Sequence, residues 1–262
     1  MSAVVLQDEI VHYEVLGRGR PVLFLHSWVG SWRYWIPSMQ AVSINFRAYA
    51  LDLWGFGDTA KKTANYSLEQ QVNLLDEFMQ AMGIGKVALI GHGLGAIVSL
   101  LFAQRFGRFV DRIMVIGLPD SRSSIHPRLY TESPIELADW LLGRDEVGEA
   151  ARVEAPKADP RAIQLSMYDL DGFDLAQLPA NQSIPCLMVS GQDDPAVSGP
   201  SFEQGNSLPE NVHLIQFEQC GHFPMLDEPT QFQRLMADFL SLSSGIGPRQ
   251  LQLKAEWKRR VR

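Results

Sequence analysis

Lys86-Val87-Ala88-Leu89-Ile90-Gly91-His92-Gly93-Leu94-Gly95-Ala96-Ile97-Val98-Ser99-Leu100-Leu101-Phe102-Ala103 decides the fold. Residues 86–90 form a short, continuously apolar run, as a strand buried on both faces requires, and residues 96–103 continue as an apolar helix packed on it. Between them lies the turn Gly91-His92-Gly93-Leu94-Gly95. A Gly-x-Ser-x-Gly turn in this setting raises a serine hydroxyl above the sheet, within reach of a histidine base. Here the central position is Gly93, so the frame is present and the attacking oxygen is not. Such a turn strains its central residue by about 1 to 3 kcal/mol when that residue is not glycine. A glycine there removes the strain and the nucleophile together.

The flanking sequence alternates strands and helices, the pattern of an α/β protein with a mostly parallel, doubly wound sheet. Strands are expected at residues 10–15, 21–26 and 46–53 before the turn, and at 112–118, 184–190 and 212–217 after it. Helices are expected at 33–42, at 67–82 with Ser67 as its cap and Gln70 three residues on, and at 230–242. Between residues 119 and 180 the alternation lapses into a proline-rich stretch with helix-like pieces at 134–142 and 160–170. A long insert after a strand's carboxyl end reads as a small helical lid over a site. The expected organisation is a core of residues 1–118 and 181–242, a lid of 119–180, and a basic tail of 243–262.

The 262 residues, 46% hydrophobic, suffice for one large core with such an insert. A net charge of -7 argues against nucleic acid as a partner, since phosphate binding needs a concentrated basic face. The tail carries six basic residues, Arg249, Lys254, Lys258, Arg259, Arg260 and Arg262, against the single acid Glu256, leaving -12 on the remainder. Cys186 and Cys220 are the only cysteines, which provides neither a disulfide framework nor metal-ligand spacing and makes the reducing cytoplasm the expected location. The N-terminus lacks the basic start and long apolar middle of a signal peptide. The apolar run 87–103 is broken by His92 and three glycines, so no integral membrane segment is expected.

Five loops, taken in order, resemble those of the α/β-hydrolase fold superfamily, in its esterase, lipase and epoxide-hydrolase-like group. Leu25-His26-Ser27-Trp28-Val29-Gly30-Ser31 is similar to the family's His-Gly loop, and Asp52-Leu53-Trp54-Gly55-Phe56-Gly57-Asp58 to its Asp-x-x-Gly-x-Gly loop. The turn at 91–95 follows. Gly191-Gln192-Asp193-Asp194-Pro195 is similar to the acid loop and Gly221-His222-Phe223-Pro224 to the histidine loop. The resemblance covers residues from about 10 to 242 and implies an α/β-hydrolase fold with a helical lid insertion. It also implies that Asp194, in preference to Asp193, and His222 are the acid and base, and that the backbone amides of Trp28 and Leu94 form the oxyanion hole. Two positions depart from the pattern: Gly93 replaces the serine, and Ser27 replaces the usual glycine after the histidine.

A serine hydroxyl attacks only when an imidazole takes its proton, and the imidazole needs a carboxylate to fix its tautomer. Asp194 and His222 supply that second half. Candidates for the missing first half are Cys220, Ser27, Ser190, or a water in the space left by the absent hydroxymethyl group. His26, Ser27 and Trp54 are expected to line an aromatic pocket beside Trp28. The functional expectation is a scaffold that has lost serine catalysis and binds a small apolar ligand, without cofactor or metal. The alternatives are an active small-molecule hydrolase or lyase working through Asp194 and His222 with water or a non-standard nucleophile, or an inactivated variant of a serine hydrolase. Oligomeric state stays open.

Overall fold

Eight strands form one sheet in the computed structural model, which describes residues 2–143, 146–199 and 208–251. They are β1 (Ser2–Leu6), β2 (Glu9–Gly17), β3 (Arg20–Leu25), β4 (Phe46–Leu51), β5 (Val87–His92), β6 (Val110–Ile116), β7 (Cys186–Gly191) and β8 (Val212–Phe217). The spatial order is β1-β2-β4-β3-β5-β6-β7-β8. β1 and β2 pair antiparallel at one edge, β2 joins β4 antiparallel, and every later pairing is parallel. Parallel strands covered on both faces lose all polar alternation, and β5 and β7 are accordingly buried at every residue.

The helices are α1 (Ile36–Val42), α2 (Leu68–Ala81), α3 (Leu94–Phe106), α4 (Arg128–Thr131), α5 (Pro134–Leu141), α6 (Glu146–Arg152), α7 (Pro160–Asp169), α8 (Pro224–Asp227) and α9 (Pro229–Ser241). α2 begins as the sequence indicates, with Ser67 Oγ accepting from the Gln70 amide. Its free first amide, on Leu68, donates to Asp169 of the insert. α3 is buried from Leu94 through Ala103, because it sits directly behind the central strand. α9 buries the five apolar residues expected of it, Phe232, Leu235, Met236, Phe239 and Leu240.

Two elements differ from expectation. β1 was not expected, because its hairpin turn is Gln7-Asp8, both left-handed at φ 51° and 60°, without the Asn-Gly signature that marks such turns. The first helix is not α-helical from residue 33. Trp32–Trp35 is a 3₁₀ turn, and the α-helix proper starts at Ile36 with Pro37 in its first turn. Proline lacks the amide that would extend the helix backward.

Between β6 and β7 the chain folds into α4 to α7 with short 3₁₀ turns, and α5 is fixed by a reciprocal Ser133/Glu136 capping box. Arg249, the first basic residue of the tail, donates to the carbonyls of Leu208, Pro209 and Val212, docking it on the β8 edge. The other basic residues of that tail lie outside the described residues. No helix among the described residues is long and apolar enough to cross a membrane.

Candidate active site

The turn between β5 and α3 holds Gly93 at φ 49° and ψ -109°, a region open to glycine and costly to other residues. The acid and base loops follow β7 and β8 at the same carboxyl edge of the sheet, where ligand sites of such folds form. Their backbones touch: a Cβ on Gly191 would lie 2.1 Å from the Gly221 carbonyl, so only glycine lets the loops approach this closely. Asp194 Oδ1 accepts from the amides of Ala196 and Val197 at 2.8 and 3.1 Å. Its Oδ2 accepts from His222 Nδ1 at 2.9 Å.

Both members of this pair are buried, with side chains 4% exposed for Asp194 and 0% for His222. Burial alone would raise the Asp194 carboxyl. The neighbouring imidazole and the two amides outweigh burial and hold it below the ordinary carboxylate range. An ionised Asp194 fixes the proton on Nδ1 and leaves the Nε2 lone pair free to accept. Nε2 faces Ser27 Oγ at 3.2 Å.

Ser27 also fills the space beside Gly93. An ideal Cβ built on Gly93 would meet Ser27 Oγ at 2.2 Å and Ser27 Cβ at 3.0 Å. The space that a side chain at 93 would occupy is therefore taken by the Ser27 hydroxymethyl group, and a water has no room there. Residues 27 and 93 lie on loops that only the fold brings together.

The Ser27 backbone is held on both sides. Its amide donates to the Tyr34 hydroxyl at 2.8 Å, and its carbonyl accepts from His26 Nδ1 at 2.7 Å. His26 Nε2 in turn accepts from the Leu53 amide, so His26, expected to line a pocket, instead braces two loops as a neutral imidazole. Burial depresses its proton affinity, consistent with that tautomer. Tyr34 stays protonated because burial pushes its phenol well up, and its O–H donates to His92 Nδ1 at 3.1 Å. His92 packs 4.5 Å from the His222 ring, centroid to centroid. Complete burial, followed by repulsion from the His222 ring when that ring is protonated, holds His92 well below the usual imidazole value and keeps it neutral. Tyr34 and His92 were not assigned this role from sequence; the aromatic cluster at 32–35 was the only signal.

Trp28 follows Ser27 and is fully buried, its Nε1 donating to Ser166 Oγ on α7 at 3.0 Å. The backbone amides of Trp28 and Leu94 make no hydrogen bond among the described residues. For Leu94 this follows from its place as the first residue of α3. Trp54 is buried in the loop after β4, its own amide and carbonyl both bound by Gln71. Of the other nucleophile candidates, Ser190 Oγ is buried without a hydrogen-bond partner. Cys220 is a buried thiol pushed up to about 12, by burial first and by Asp227, Glu228 and Asp193 next, the opposite of an activated thiolate.

His12, Asp52 and Asp58 are the one group among the described residues whose ligand atoms lie close enough for a metal ion. The Asp52 carboxylate is already occupied by His12 Nδ1 and by the amides of Trp32 and Asp58. Burial pulls His12 down, but the bond to Asp52 and its charge prevail and raise it. The group reads as a buried ion pair that ties the Ser27 loop to the β4 loop.

The insert is bonded to the loops after β3 and β4. Glu154 accepts from Ser31 Oγ and Arg33 Nε, Tyr66 donates to Asp159, and the Asp159 amide donates to the Gly55 carbonyl. Ser27 is 0% and His222 1% exposed. A cleft of about 200 Å³ opens nearby between Leu118, Met188, Leu175 and Ala176, but none of the Ser27, His222 or Asp194 atoms lines it.

Comparison with known proteins places the fold. Residues 22–234 match the model of the alpha/beta hydrolase family. The chain is 31% identical over 258 residues to a soluble epoxide hydrolase of Corynebacterium, covering 84% of this chain and 89% of that protein. It is 26% identical over 250 residues to a 2-hydroxy-6-oxo-2,4-heptadienoate hydrolase of Pseudomonas putida, covering 86% and 91%. Among solved structures, an enol-lactonase of Burkholderia xenovorans superposes with a TM-score of 0.79 at 18% identity, over 92% of this chain and 100% of that one.

Proposed function

Because the chain belongs to the alpha/beta hydrolase family, we propose that it is a working hydrolase of small, largely apolar carbonyl compounds such as esters and lactones, with His222 as the base. The reading rests on one observation: a buried imidazole oriented by a carboxylate at 2.9 Å presents its free nitrogen to an oxygen at 3.2 Å. In hydrolysis His222 Nε2 takes the proton of the attacking oxygen and returns it to the leaving oxygen, while Asp194 stabilises the imidazolium between the two transfers. The amides of Trp28 and Leu94 are the donors available to a developing oxyanion. The insert acts as the lid, its apolar underside and Trp28 selecting for substrates without charge at the reacting end. Relatives with hydrolase names, acting on a dienoate in one case and a lactone in another, support the substrate class.

The binding-only reading draws on the sealed site, since Ser27 and His222 have almost no exposure. The two readings separate in an assay of the purified chain on p-nitrophenyl esters and simple lactones. Turnover that falls by about 10³-fold or more in His222→Ala is the expected result. Absence of turnover across both panels, with saturable binding of the same compounds, would overturn hydrolysis and favour the binding protein.

A further inference from the structure

We propose that Ser27 is the nucleophile of this site, standing on the loop packed against the turn that would ordinarily carry it, with Gly93 as its counterpart. The inference rests on the hydrolase reading above and names the attacking atom within it.

Three independent observations converge on Ser27. Its Oγ is the only side-chain oxygen at hydrogen-bond distance from His222 Nε2 among the described residues. That nitrogen is the one Asp194 leaves unprotonated, so Ser27 O–H donates and is polarised for proton loss. The hydroxyl also sits against the turn itself, 2.2 Å from where a Cβ on Gly93 would lie. A side chain at 93 would fit only if the Ser27 hydroxyl turned away from its present place; with glycine on one loop and a hydroxymethyl on the other, the hydroxyl keeps its place against His222. Finally, Ser27 is fixed before any substrate arrives: amide to Tyr34, carbonyl to His26, and Tyr34 to His92. Such preorganisation is what an attacking group needs. A hydroxyl that merely filled a void would need neither the imidazole nor this bracing.

The step is balanced. Ser27 Oγ bonds to the substrate carbonyl carbon as its proton passes to His222 Nε2. The tetrahedral oxyanion collapses, the carbon–oxygen bond to the leaving group breaks, and His222 protonates the departing alkoxide. Water then attacks the Ser27 ester, gives its proton to His222, and collapse releases the carboxylic acid and the reprotonated Ser27 hydroxyl.

A fluorophosphonate probe tests this directly. Ser27 Oγ displaces fluoride, forming an O–P bond as the P–F bond breaks, and the adduct is located by tandem mass spectrometry within the peptide that also contains Ser31. Stoichiometric labelling at Ser27, abolished in His222→Ala, is expected. Ser27→Ala should lose about 10³-fold or more in kcat. Gly93→Ser alone should impair the enzyme, because its Cβ collides with Ser27, whereas the exchange Ser27→Gly/Gly93→Ser should recover part of the lost activity. Labelling of another residue, or no labelling of the wild-type chain, overturns the inference. Turnover in Ser27→Ala within tenfold of wild type, still dependent on His222, would leave the hydrolase reading intact and assign the attack to water. Absence of both turnover and labelling in the wild-type chain would remove both.

Discussion

At the level of single residues, the space beside position 93 is filled from another loop. Gly93 lacks an oxygen, yet an oxygen lies where its side chain would begin, supplied by Ser27. Asp194 has the clearest consequence in solution. Its carboxyl is held below the ordinary range when folded, burial being outweighed by His222 and two amides. Its contribution to stability is therefore fully present above the unfolded value near pH 4 and lost as pH falls through the folded one. Asp194→Asn should have a flatter acid limb than wild type in thermal melts from about pH 5 to pH 2, and parallel limbs would contradict the assignment. Asp194 and His222 were legible in the sequence because each follows a strand end in a short loop of recognisable composition. The role of Ser27 was not singled out, since it emerges only from the contact among residues 27, 93 and 222.

Among elements, the helical insert is tied to the loop after β3. α7 presents Ser166, whose Oγ accepts from Trp28 Nε1 while donating to the Ile163 carbonyl. This bond latches the insert to the loop that carries Ser27. Ser166→Ala leaves the buried indole N–H unpaired at a cost of about 1 to 3 kcal/mol. Its melting temperature should drop, and limited proteolysis within residues 119–180 should accelerate; digestion at the wild-type rate would show that the insert is held by other contacts. The strands of the parallel core were legible because burial on both faces leaves largely apolar runs, as in β5 and β7. β1 was missed because Gln7-Asp8 carries no glycine to betray a left-handed turn. The start of α1 was misplaced because a 3₁₀ turn and an α-helix share their aromatic pattern until Pro37 separates them. The insert was legible as helical pieces, but its anchors, such as Glu154 to Ser31 and Asp169 to Leu68, join residues about a hundred or more positions apart.

Across the whole molecule, the sheet delivers the carboxyl ends of β3, β5, β7 and β8 to one edge and so assembles a site from loops spanning nearly two hundred residues, from Ser27 to His222. The fold can therefore be read from local patterns, whereas the contact of Ser27 with Gly93 and His222 is a property of the assembled chain. The most direct test is a crystal structure of the chain after reaction with a fluorophosphonate. The account predicts phosphorus bonded to Ser27 Oγ, with its phosphoryl oxygen received by the amides of Trp28 and Leu94. Phosphorus on any other atom, or an intact Ser27 beneath an unreacted ligand, would contradict it.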